Sequence, residues 1–318
     1  MANDKKIRFG IALGFPETLA QWQDQARKVE DLGYDVLQVA DHLGRQWSPL
    51  LALQAAAQVT TRLRFGTQVI ANDFRHPVVL AKEIATLDLL TGGRFEPGIG
   101  VGHPQTSPTG RSDYAQLGRE MGSPGERVDR LRESLQVIKA FMANSEPFEY
   151  PGKVFNLSNV VPFPKPLQRP HPPIMVAGAG PRMLRLAARE ANIINIAPRP
   201  PIKGTTSRGS TGFGLDIHGE LDIMREAAGD HFGDLELCVF GDRSVITDKP
   251  AEEKQKLADD FGIGIEALDE MPHTVIGSAE AIGDKILLDR ERYGISYRIV
   301  LGAQIDAYAP IVKRLSGK

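Results

Sequence analysis

The sequence has one cysteine, no apolar run of membrane-spanning length and no excess of either charge. Cys238 has no second cysteine in the chain, so an internal disulfide framework is excluded, and its neighbours Leu237, Val239 and Phe240 mark a buried structural thiol. No segment approaches the ~20 apolar residues that a bilayer span needs, and the leading MANDKKIRFG has no stretch of signal length. The expectation is a cytoplasmic protein with no membrane partner. With 38 Lys and Arg against 40 Asp and Glu, no global positive field recruits nucleic acid. Several catalytic kits are also missing: there is no Cys pair for a zinc knuckle, no HExxH, no Gly-rich Lys-Ser loop and no GxSxG elbow. No metal is expected.

What is present is apolar material in short, frequently interrupted blocks, with 32 Gly and 22 Pro as stops. An apolar strand over 7–13 ends at Gly14 and Pro16, and Leu19, Trp22, Ala26, Val29 and Leu32 then recur at helical spacing until Gly33. The unit repeats: strands at 36–40, 63–69 and 95–100, with helices at 49–59, 77–90 and 126–142. Further strands are expected at 174–177, 193–196, 235–240 and 296–300, with helices starting near Pro181, Gly219, Ala251 and Ser278 and a last one over 307–315. This alternation predicts an α/β chain of parallel strands with right-handed crossovers, closed most simply as a (β/α)8 TIM barrel spanning 1–318 as one domain. A doubly wound sheet is the rival. It would normally carry a phosphate-binding glycine turn after strand one, whereas that turn reads GFPET.

Three segments exceed a minimal barrel. Residues 103–125 follow strand four and 197–218 follow strand six, both on the side where barrels hold their sites. Residues 147–173, containing PFPKPLQRPHPP, precede strand five and are expected to brace the opposite side or the flank. The second segment contains KGTTSRGSTGFG with Arg199, Lys203 and Arg208, a composition suited to a lid that orders over an anionic ligand.

Candidate chemistry clusters at strand ends. Asp41 and His42 leave the second strand, where His42 can bind a cofactor or exchange a proton and Asp41 can orient it or nearby backbone; a capping turn is the alternative. GTQVIANDFRHP ends the third strand, with Gln68, Val69 and Asn72 as candidates to support a flat ring, while Asn72 and Asp73 equally suit turn capping and Arg75 and His76 suit solvent. Gly98, Gly100 and Gly102 offer a nearly side-chain-free track on strand four, or simply tight packing. In AGAGPRMLRLAARE the turn Gly178, Ala179 and Gly180 opens a helix at Pro181 whose free amides, with Arg182, suit a phosphate. Ser278 is read as an N-cap, and Glu83, Asp88, Glu190 and Glu226 as structural or solvated carboxylates.

The stretches DLGYDVLQVADH, LRFGTQVIANDFRHPVVLAKEIATLDLLTGGRFEPGIGVG, PFPKPLQRPHPPIMVAGAG and ERYGISYRIV together resemble the bacterial-luciferase-like superfamily of flavin- and F420-dependent enzymes. The resemblance runs across essentially the whole chain and implies a barrel with insertions whose deazaflavin-dependent members use hydride chemistry at the mouth. It places Asp41 and His42 beside the deazaflavin and a non-prolyl cis peptide at Gln68–Val69 under the ring. It also sets His103 where a sugar-phosphate dehydrogenase relative has an acidic glutamate, and the loop PQTSPTGRSDYAQLG departs from the usual family sequence, so that relative's substrate does not transfer. The expected function is hydride transfer between coenzyme F420 and a small organic substrate, with His42, Asp41 and His103 as catalytic candidates. An FMN-dependent monooxygenase and a non-enzymatic flavin-binding barrel are the alternatives. A homodimer is compatible with the reading.

Overall fold

The computed structural model describes residues 5–197, 217–241 and 243–318. Parallel strands run Arg8–Ala12, Val36–Val39, Arg64–Thr67 with Ile70–Ala71, Phe95–Glu96 with Gly98–Gly100, Met175–Gly178, Ile193–Ile196, Glu236–Gly241 and Ile295–Leu301. We number these eight barrel strands from first to eighth. Each pairs with its neighbour in that order, and the eighth returns to the first through Arg8↔Tyr297 to Ala12↔Leu301. The ring is therefore closed, as alternation predicts.

Strand alternation divides the core in two. One face of each strand meets the helices in a continuous shell that includes Ile11, Leu37, Phe65, Ile99, Val176, Ile194 and Val239. The other face fills the barrel with Val36, Met175, Ile193, Cys238, Tyr297 and Ile299. Cys238 is fully buried there, and burial pushes its thiol well above the usual range, consistent with a structural role.

The helices follow their sequence signals. Leu19–Asp31 starts at a capping box of Thr18 and Gln21 and stops at Gly33 (φ +86). Pro77–Leu90 and Pro181–Glu190 carry proline in the first turn, and Ser278 caps Ala279–Tyr293. The 147–173 segment contains the antiparallel hairpin Phe148–Pro151 with Asn156–Val160, held where the Glu133 carboxylate accepts from the Lys153, Val154 and Phe155 amides. Its Gln168 reaches back to Asp88, Arg64 and the Phe95 carbonyl, so it braces the barrel as expected. Two features were not anticipated. A short parallel pair, Arg243–Ile246 with Thr274–Gly277, lies between strands seven and eight, and the 103–125 segment contains the helix Pro108–Leu117. The helix expected from near Gly219 is described over Ile217–Ala228 and includes His218; the remainder of the expected lid, 198–216, lies outside the described residues.

The N-terminal end of the barrel is closed by charge. Glu96, 1% exposed, accepts from Arg8 at 2.7 Å and from Arg64, while Arg8 also holds Glu236 at 2.6 Å. Burial alone pushes the Glu96 carboxyl up, but Arg8 and Arg64 outweigh it and hold it below its ordinary value. Replacing it by Glu96→Gln leaves two guanidinium groups facing each other. Breaking a buried ion pair costs about 3–5 kcal/mol, and partial solvation of the arginines reduces the expected loss to about 2 kcal/mol. Urea unfolding at pH 7 should show that loss. Because the folded carboxyl is stabilised in its ionised form, the gap between wild type and variant should close as the pH falls through the carboxylate range. Equal midpoints at pH 7 would contradict the assignment.

Candidate active site

The C-terminal mouth gathers most of the expected residues. His42 leaves strand two and His103 leaves strand four, and their rings stack with centroids 4.9 Å apart and planes 30° from parallel. Strand three lies between them and carries the cis peptide Gln68–Val69. Pairing of strands three and four stops at Gly66↔Glu96 and resumes at Ile70↔Ile99, so strand three has one residue more. Thr67 bridges the gap, its hydroxyl donating to the Gly98 carbonyl at 2.8 Å and accepting from the Gly98 amide at 2.9 Å.

That seam explains the strand-four glycines. A Cβ on Gly98 would lie 1.9 Å from the Thr67 carbonyl oxygen, and one on Gly100 would lie 2.7 Å from Val69 Cγ2. Strand three thus crowds both positions, Gly98 with backbone and Gly100 with the Val69 side chain. Gly102 has φ +73, a conformation that favours glycine.

Of the two roles expected for Asp41, orienting His42 or the nearby backbone, its contacts are those of the second. It is buried and accepts from Arg75 Nη1 at 2.5 Å and from the Ala71 amide at 3.3 Å, so its effect is on the backbone after strand three. Arg75, expected in solvent, lies between Asp41 and Glu83, and His76 caps the helix Pro77–Leu90 by accepting from Val78 N. The carboxylate that meets His42 is Asp113, with Oδ2 3.1 Å from Nδ1 and Oδ1 accepting from Leu43 N at 3.0 Å. It comes from Pro108–Leu117, a helix capped by Ser107 and ended by Gly118 at φ +63. The Ser-Pro start and the final Gly were its sequence signal; the glycines and serines around them read as loop.

The inserted helix is clamped to the barrel through Asp73. Tyr114 Oη donates to Asp73 at 2.5 Å, Arg130 grips both carboxylate oxygens at 3.0 and 2.9 Å, and Arg119 donates to the Asp73 carbonyl at 2.7 Å. Burial and then the bond to Asp73 push the Tyr114 phenol up to about 12. Arg127, buried, donates to the carbonyls of Val101 and of His103, the latter at 2.6 Å, which fixes the exit of strand four. His103 is half-buried; burial, then His42 and, more weakly, Arg127 lower its pKa against the opposing pull of Asp113.

The phosphate candidate is on strand five, next to strand four. Gly178 ends that strand, Ala179 follows, and Gly180 at φ +83 caps Pro181–Glu190 with no side-chain partner at the cap. A Cβ on Gly178 would meet Met183 Cε at 2.9 Å, so packing also requires that glycine. Arg182 is exposed and pairs with Asp129 at 2.6 Å. Several buried polar atoms near the strand ends lack a partner: Gln68 Oε1, Asn72 Oδ1 and, on strand six, Asn195 Nδ2. Asn195 carries no motif and was missed; its strand alternation alone could have pointed it into the barrel.

Sequence and structure comparisons place these features in a family. The profile described as luciferase-like monooxygenase matches residues 6–207. The chain is 33% identical over 199 residues to 4-hydroxyprotoasukamycin monooxygenase of Streptomyces nodosus subsp. asukaensis, covering 60% of this chain and 50% of that protein. It is 30% identical over 174 residues to an F420-dependent glucose-6-phosphate dehydrogenase of Amycolatopsis mediterranei, covering 52% and 50%. The chain thus spans about half the length of these curated relatives. An F420-dependent secondary alcohol dehydrogenase, solved with an F420-acetone adduct, superposes with TM-score 0.72 over 98% of both chains at 19% identity. No helix among the described residues is long and apolar enough to cross a membrane. With the profile matching more than half of its length and the barrel closed, the chain belongs to the luciferase-like monooxygenase family.

Proposed function

We propose that this protein is an oxidoreductase that holds coenzyme F420 over the barrel mouth and transfers a hydride between it and a small organic substrate. The observation that carries the reading is the stacked pair His42 and His103 on either side of the strand bearing Gln68–Val69. The unpartnered Gln68 Oε1 and Asn72 Oδ1 fit a polar heterocycle, since buried polar atoms are normally paired. The uncapped amides after Gly180, with Arg182, fit a phosphate on the tail. When bound, the deazaflavin supplies or accepts the hydride. The chain's own part is proton handling and orientation. His42 can take a proton at a ring nitrogen during oxidation and return it during reduction, and the ring stacked on it is that of His103, which burial favours as neutral imidazole. Arg127 holds the backbone that carries it, and Arg75 with Asp41 holds the backbone after strand three.

FMN in place of F420, in a monooxygenase, is the second reading. It is favoured by the match to 4-hydroxyprotoasukamycin monooxygenase. Fluorescence titration of ligand-free protein with F420 and with FMN, followed by anaerobic turnover with secondary alcohols and aerobic turnover with reduced FMN, separates the two. The expected result is micromolar F420 binding and alcohol-dependent F420 reduction. FMN binding with oxygen consumption would favour the monooxygenase, and binding without turnover the non-enzymatic flavin carrier.

The lowered pKa of His103 also predicts a pH effect on stability. The unfolded imidazole titrates near 6.5, so below that pH the unfolded chain binds the extra proton and the fold loses stability; above it the contribution is intact. His103→Gln should therefore flatten the fall in Tm between pH 7 and pH 5. Parallel Tm curves for the two proteins would contradict this.

A further inference from the structure

The geometry points to Asp113 as a positioning residue that fixes the Nδ1 proton of His42, leaving Nε2 as the atom that exchanges a proton with substrate. The inference rests on the oxidoreductase reading for its chemistry and on the structure alone for the tautomer. Asp113 is 3% exposed and both its oxygens are engaged, one by the His42 ring and one by the backbone amide that follows it. An ionised carboxylate only accepts, so the hydrogen between it and Nδ1 belongs to the imidazole, and Nε2 is then the unprotonated nitrogen. Among the described residues no other carboxylate is bonded to His42: Asp41, the chain neighbour, is committed to Arg75 and the Ala71 amide. The next residue, Tyr114, is bonded to Asp73, and Arg119 and Arg130 hold the same aspartate, so the helix presents Asp113 from a fixed position.

In the oxidation of an alcohol, Nε2 of His42 takes the hydroxyl proton as the carbon–hydrogen bond breaks and the carbonyl forms. The hydride, with its electron pair, passes to the oxidised deazaflavin. The imidazolium so formed is faced by Asp113 on one side and by His103 on the other, and the charge is met by the carboxylate. Reduction runs the same steps backwards. A carboxylate that sets tautomer and orientation in this way contributes to kcat more than to binding.

Asp113→Asn and Asp113→Ala, with His42 intact, test the assignment. In ligand-free wild type at pH 7.5, 15N NMR of the ring should show His42 as the Nδ1–H tautomer; both variants should show a tautomer mixture. In turnover, kcat should fall by about 10- to 100-fold while acceptor KM and F420 affinity change by less than about 3-fold. Asp113→Glu should recover part of the rate. A wild-type tautomer ratio and wild-type kcat in Asp113→Asn would overturn the proposal. If the wild type binds no flavin, the oxidoreductase reading fails, and the ligand-free tautomer measurement still decides the role of Asp113. If Asp113→Ala fails to fold, the isosteric Asp113→Asn carries the test.

Discussion

The barrel closes at a seam where two strands cannot pair by backbone alone. Between Gly66↔Glu96 and Ile70↔Ile99 strand three holds one residue more than strand four, and the Thr67 hydroxyl supplies both hydrogen bonds that the ladder omits. The fit leaves no room for a side chain on Gly98, whose Cβ would overlap the Thr67 carbonyl. His103 exits three residues beyond Gly100, and from there its ring stacks on that of His42.

The two ends of the barrel use polar groups in opposite ways. At the N-terminal end, Arg8, Arg64, Glu96 and Glu236 satisfy one another, and the cluster acts as a plug that stabilises the fold. At the C-terminal end, Gln68 Oε1 and Asn72 Oδ1 are buried with no partner. A buried polar atom without a hydrogen bond costs about 1–3 kcal/mol, a cost that a polar ligand at the mouth would offset. The cleft of about 380 Å3 at the N-terminal end is lined by these paired charges together with Lys5, Asn192 and Asp234.

The insertion after strand four is tied to the barrel mouth beside His42. Asp73 binds Tyr114, Arg119 and Arg130, and through them the barrel determines where Asp113 stands. Arg127, one turn before Arg130, holds the carbonyl of His103. The same stretch of chain thus fixes both histidines, one through its side chain and the other through its backbone.

Local signals in the sequence determined the elements. Proline at the first helical position and apolar periodicity gave Pro77–Leu90 and Ile193–Ile196 their limits, and strand–helix alternation gave the barrel, because both depend on residues close in the chain. The sequence also singled out His42, just past a strand end, and through family resemblance His103 and the Gln68–Val69 peptide, which is cis in the structure. The partners were decided by tertiary structure. Asp41 and His42 are adjacent in sequence but take unrelated partners, and the carboxylate bonded to His42 is 71 residues away. What a side chain on Gly98 or Gly100 would strike was likewise decided only by the strand packed against them. Spacing along a chain reports which way a side chain leaves its element; what it meets depends on where the barrel's closure brings the other elements.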